Sequence, residues 1–259
     1  NHINNSGTVE HYIYGSYNSG NGSSGGENTI TNSGTVNYVI GSYNDGADSS
    51  GGENTITNQS GGYVAYDIFG SYNGDADSSG GGNTINNHGT VEQYLYGSRN
   101  SGDGSNGGGN TINNSGTIDY EIYGSSNYGI GSSGGSNTIN NSGTIRYDIA
   151  ASRNYGDGSS GGSNNITNQA GGTVDSIYGS QNVGVGSTGG SNNITNQSGG
   201  QVDGNIYGSY NEGADSSGGS NNINNRGTVD YDIIGSYNEG AGSSGGENTI
   251  TNSGTVNYV

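Results

Sequence analysis

The sequence predicts an all-β fold, a single-stranded parallel β-solenoid, on three observations. First, the segment Asn28-Thr29-Ile30-Thr31-Asn32 recurs at 54–58, 83–87, 110–114, 137–141, 164–168, 192–196, 221–225 and 248–252, with a first copy at 1–5. Its central residue is isoleucine in all ten copies, at intervals of 26 to 29 residues, and a fixed period of this size marks a stacked array. Second, residues alternate within each copy: Asn28, Ile30 and Asn32 share one parity and Thr29 and Thr31 the other, which is a strand pattern. Third, only 25% of the chain is hydrophobic and 57 residues are glycine, too little apolar area for one thick core. Without the period such a composition would border on disorder.

One coil can be justified from 28 to 53. Ile30 faces inward, so Asn28 and Asn32 face inward at the strand ends, where each can bond the Asn of the next coil. Asn54, Ile56 and Asn58, and Asn110, Ile112 and Asn114, are the same set in other coils. Ser33-Gly34 is a turn, and three coils lengthen it to Gln-(Ser/Ala)-Gly-Gly at 59–62, 169–172 and 197–200. Thr35-Val36 opens a second strand. A third has the pattern apolar-variable-Gly-Ser, as in Ile68-Phe69-Gly70-Ser71, and ends at an Asn. From that Asn to the next central Ile there are always 12 residues, a constant loop typified by Ser49-Ser50-Gly51-Gly52. No segment holds a 3.6-residue apolar period, so no helix is expected. The expectation is one continuous array over 1–259, with about 27 residues and three short strands per coil. Nine to ten coils start near 1, 28, 54, 83, 110, 137, 164, 192, 221 and 248. Three aliphatic residues per coil are too few for one coil to fold alone.

Composition also bounds the partners. There is no Cys, hence no disulfide framework or thiolate metal site, and no Pro to interrupt strand ladders. Net charge is −18, with 22 acidic residues against Arg99, Arg146, Arg153 and Arg226. Such a surface repels nucleic acid and anionic membranes. No apolar run approaches the ~20 residues of a membrane span. The chain starts and stops within a repeat and has no initiator Met, so it is expected to be part of a longer protein with targeting segments elsewhere. Residues 23–39 and 243–259 are identical, at an offset of 220.

The units Asn-Thr-Ile-Thr-Asn-Ser-Gly-Thr-Val (28–36) and Asn-Thr-Ile-Asn-Asn-Ser-Gly-Thr-Ile (110–118) resemble coils of the β-helical passenger domains of bacterial autotransporters and related secreted adhesins. The resemblance implies a right-handed β-helix exported to the cell surface. This chain departs from it in its very regular Gly-Ser-Tyr-Asn and Ser-Ser-Gly-Gly elements and its 21 tyrosines. Regularity of this kind favours a fibre or spacer, able to associate with itself end to end or laterally, over an enzyme.

Four sets of residues are weighed for chemistry. Asp45 and Asp48, and Asp75 and Asp77, are similar to Gly- and Asp-rich calcium loops of the RTX type. Calcium needs six to eight oxygens, however, and the column containing Asp103 and Asp157 also holds Ile130 and Val185. Solvated loop carboxylates are the simpler reading, so no cofactor is expected, with calcium as the open alternative. Thr-x-Thr rows at 29/31, 55/57 and 249/251 suggest ice binding, but other coils break the row with Asn. Tyr14, Phe69, Tyr96, Tyr123, Tyr178 and Tyr207 form an aromatic column, interrupted by Ile40, Ala150 and Ile234. Tyr17, Tyr43, Tyr72, Tyr210 and Tyr237 form another, with Arg99 and Arg153 in it. These columns stabilise an edge or serve as an interaction face for a glycan or a cell-surface protein. Lastly, His2, His11 and His88 lack metal spacing, and no catalytic residues are assigned. A polysaccharide-cleaving site would need a local insertion that the repeat does not show. Sequons at Asn58, Asn113, Asn165 and Asn196 are expected by chance in so Asn-rich a chain.

Overall fold

The computed structural model describes residues 1–257 and is a parallel β-solenoid of about nine turns, with no helix among the described residues. The Asn-x-Ile-x-Asn segments form one ten-stranded parallel sheet along the axis. Its register is in phase from coil to coil: Ile30 pairs with Ile56, Ile56 with Ile85 and Ile85 with Ile112. A 17-stranded sheet holds the second and third strands of each coil. In two early coils these run together as Thr8–Asn18 and Thr35–Asn44. Later coils split them, as in Thr90–Val91 and Leu95–Asn100.

The segment expected to be wholly loop carries a fourth, minimal ladder. Ser50–Gly51 pairs with Ser79–Gly80, and Ser160–Gly161 continues through Thr188–Gly189 to Ser217–Gly218. Single bridges through Asn106 and Ser133 join the two stretches. A Cβ on Gly51 would lie 2.3 Å from the Ser42 hydroxyl, so the second Ser-Gly of the coil lies flat on the first. Two residues with one side chain show no alternation, and this strand therefore leaves no periodic signal.

The interior has two halves. One is aliphatic, with three residues per coil such as Ile56, Val64 and Ile68, all fully buried. The other is polar, and Asn54, Asn58, Ser71, Asn73 and Ser78 are equally buried. Buried amides need partners, and they find one another across coils. In the column that begins at Asn1, each Nδ2 donates to Oδ1 of the next coil at 2.8–3.1 Å, nine bonds in succession to Asn248. The column from Asn5 to Asn252 does the same with nine bonds of 2.8–3.0 Å. The column from Asn18 to Asn238 adds eight, all at 2.7 Å.

Turn chemistry explains the acidic loops. One position per coil takes a left-handed backbone, with Gly22, Gly104 and Gly131 at φ of 66°, 68° and 64°. In three coils the same position is Asp48, Asp77 or Asp215, at 56°, 53° and 55°. Aspartate is among the few non-glycine residues that tolerate this region. The lengthened corners likewise place Gly61, Gly171 and Gly199 at φ 85°.

The ladder makes a sharp prediction. Asn110→Ala leaves Asn83, Asn137 and the Gly124 carbonyl each one partner short. A few buried unsatisfied groups should cost roughly 2–4 kcal/mol, read from the urea midpoint. Asn110→Asp should be worse near neutral pH and milder below pH ~4. There the carboxyl is protonated and can again donate to the next oxygen. A variant equally stable at both pH values would show that the amides carry little.

Candidate functional site: the aromatic lateral face

Outward residues of the third strand and its flanks form a lateral face of adjacent columns. The central column is the one expected from the sequence. The structure places Phe69, Tyr96 and Tyr123 beneath the surface at about 5% exposure and leaves Tyr14, Tyr178 and Tyr207 half-buried. Phe69 and Tyr96 stack at 4.8 Å, Tyr96 and Tyr123 at 5.1 Å, and Tyr178 and Tyr207 at 5.0 Å. Coil spacing of about 4.8 Å is close to the offset-stacking distance, so parallel strands align the rings without strain. These six residues are therefore mainly the floor of the face.

More open rings stand on either side, Tyr12, Tyr17 and Tyr66 exposed and Tyr38, Tyr43 and Tyr72 half-buried. Tyr12, Tyr38 and Tyr66 stack at 4.8 Å along one flank. Tyr17, Tyr43 and Tyr72 stack at 4.9–5.0 Å along the other, within 6° of parallel. The first of these flanks, just before the apolar residue of the third strand, carries no clear sequence signal. Its column changes from Tyr12 and Tyr38 to Asp67, Tyr94, Glu121 and Asp148, and so hides among variable residues.

Two arginines interrupt the second flank. The Arg99 guanidinium lies 4.8 Å from the Tyr128 ring centroid, 5.5 Å from that of Tyr72 and 5.9 Å from that of Tyr96. Its buried Nε has no hydrogen-bond partner among the described residues. Arg153 lies 4.8 Å from Tyr155, donates to the Tyr123 hydroxyl at 2.5 Å and pairs with Glu121 at 3.5 Å. Glu121 and Tyr123 belong to the coil before Ala150, the buried position where the central column lacks a ring. The Tyr123 hydroxyl also donates to Glu121.

Beside Arg153 sits a carboxylate held out of water. Burial, then the neighbouring Glu121, pushes Asp148 up to about 7, against the Ser176 amide, which donates to it at 3.0 Å, and Arg153. Glu121 is also raised by burial, with Arg153 opposing.

Of the remaining candidates, Asp45 alone touches this face, at the edge of the second flank. Asp48 and Asp77 are exposed turn residues. Asp45 accepts the Tyr17 hydroxyl at 3.3 Å, and Asp75 accepts the Ala76 amide at 2.9 Å. No three His, Asp or Glu side chains converge among the described residues. On the Asn sheet, outward amides are tied to one another: Asn113 donates to Asn86 and Asn140 to Asn113, each at 2.9 Å.

Fold and face together define a parallel β-solenoid with amide-laddered interior corners and an aromatic flank. No protein-family model matches the chain, and neither a curated protein nor a solved structure is similar to it.

The Asp148 environment predicts an unusual acid limb. A carboxyl whose folded pKa lies above its unfolded value of about 3.9 costs stability when it ionises. Its contribution is intact below pH ~4, is lost as pH rises from about 4 to about 7, and is constant above that. Asp148→Asn should match the parent at pH 4 and exceed it at pH 8, by up to about 4 kcal/mol for three units of pKa. Urea melts at the two pH values test this, and parallel curves for parent and variant would refute it.

Proposed function

We propose that the chain is part of an extracellular, cell-surface structural fibre or rigid stalk built by coil-on-coil stacking, with no catalytic role. The observation that carries this reading is the unbroken run of three interior amide ladders along the rod. A rod in which each coil repeats the last is suited to span distance, and nothing in its axial register marks a distinct centre. The resemblance to autotransporter and adhesin coils supports export. The acidic surface supports solubility of a long particle.

The ladders also give the rod a direction. All three donate from Nδ2 toward higher residue numbers, so the forward side of every coil offers amide nitrogen and the rear side amide oxygen. Any coil stacked beyond Asn248 must present an oxygen to it. Coils therefore join head to tail, whether within a longer chain or between copies. The edge at 248–256 repeats the residues with which 28–36 receives the coil at 54–64.

Cryo-electron microscopy of the protein in its native source tests the proposal. Long filaments with a ~4.8 Å axial repeat, all coils pointing one way, are the expected result. Discrete rods ending in a distinct tip domain would replace the fibre by an adhesin stalk. Particles without the axial repeat would overturn both.

A further inference from the structure

We infer that the lateral face carries a binding groove for a neutral sugar ring, centred on Ile40. The central column has three short residues, Ile40, Ala150 and Ile234, and the structure treats the first two differently. Beside Ala150, Arg153 reaches back along the column and is tied down by Tyr123 and Glu121. At Ile40, which is itself only 3% exposed, the flanking residues are rings. Tyr12, Tyr38 and Tyr66 on one side, and Tyr17, Tyr43 and Tyr72 on the other, are each held upright by face-to-face contact with rings in adjacent coils. A groove of about 290 Å³ remains between the two stacks, floored by Ile40, Phe69 and Tyr14.

Five tyrosines bring hydroxyls to its lining, and its two charged groups, Asp67 and Arg99, lie together at one end. Asp67 holds the Tyr94 amide with one oxygen at 3.0 Å, and its second oxygen has no protein donor among the described residues. Arg99 lines the same end, and its guanidinium has no acceptor among the described residues. It is held there by ring faces rather than by a counter-ion. A carboxylate and a guanidinium free to bond, together with tyrosine hydroxyls and ring edges along the walls, suit a compact ligand rich in hydroxyls.

Three features favour a neutral pyranose. The volume is below the ~300–1,000 Å³ of sites for drug-sized ligands, so it fits about one ring. The two charges at the end are of opposite sign and leave no net charge for an ion to answer. The overall charge of −18 opposes anionic glycans. The groove is independent of the fibre reading, since a stalk and a fibre would both present it.

The full chain should be applied to an array of neutral and anionic glycans. It should then be titrated with the methyl glycosides of glucose, galactose, mannose and N-acetylglucosamine, with tyrosine fluorescence and ligand-observed NMR as readouts. At least one neutral sugar is expected to bind. Ile40→Tyr restores the ring that the column uses elsewhere and fills the groove. It should weaken that binding at least tenfold with an unchanged melting temperature, and Ile234→Tyr should leave binding intact. Asp67→Asn is a second variant that removes the carboxylate without adding bulk, and it should weaken binding by a similar factor. The inference is overturned if the chain binds no neutral glycan or only anionic ones. It is also overturned if a binding sugar is held equally well by Ile40→Tyr and Asp67→Asn.

Discussion

The structure depends on one constraint: polar groups inside a narrow coil must be satisfied largely along the axis, since the coil itself offers each amide only a few partners, such as the Ser42 hydroxyl 2.7 Å from Asn54. A primary amide meets this constraint alone. It donates and accepts on opposite sides, so identical residues in successive coils bond in series, whereas a carboxylate only accepts at neutral pH. Three columns of the sequence are consequently Asn in every coil where the structure describes a ladder. Other choices depend on theirs. A Cβ on Gly97 would lie 2.4 Å from the Gly124 carbonyl and 2.6 Å from Cβ of Asn110, so the Gly of the Gly-Ser motif makes room for the ladder. The rule is not absolute. Ala151 occupies this position in one coil, fully buried, and its carbonyl still accepts Asn137 at 2.9 Å.

Order in the ladders extends to their polarity. Interior amides donate forward, toward higher numbers, while outward amides on the same strands donate backward, as Asn193 does to Asn165 at 3.0 Å and Asn222 to Asn193 at 3.1 Å. The amide dipoles on the two faces of the sheet therefore oppose one another and partly cancel along the axis. The outward ladder is confined to coils that replace Thr with Asn, so the interior sets the direction of the rod.

The fold is legible in the sequence because its determinants are periodic. Ile30 and its equivalents reveal the strand and its inward face, and the inward placement of Asn28 and Asn32 comes from parity. Corner insertions at 59–62 and 197–200 leave the strands in phase, so the variation in period reads as turn length. The lateral face is less legible. Equivalence in sequence shows that Tyr96 and Tyr123 share a column, but it does not show how far neighbouring columns rise above them. That depends on side-chain direction, and the result is a buried floor and more open flanks. The raised Asp148 is hidden for a related reason. The charges that act on it, Glu121, Asp175 and Arg153, lie one coil back, one coil on and five residues on, and no local pattern marks such a meeting.

In an array of this kind the regular residues build the rod, and specific chemistry can arise only where a column changes. The sizes of the substituted side chains decide the outcome at each interruption. Beside Ala150 the long, flexible Arg153 reaches back to the preceding coil and forms an ion pair with a hydroxyl partner. Ile40 sits between stacks of rings that have no comparable reach, and although Ile40 is itself buried, a groove remains above it. One interruption is thus consumed by stability and the other is available to a ligand. The difference lies in Arg153 and Tyr43, the flank residues three positions after Ala150 and Ile40 in their coils. A guanidinium on a flexible stem can swing across the column, whereas a ring clamped between Tyr17 and Tyr72 cannot.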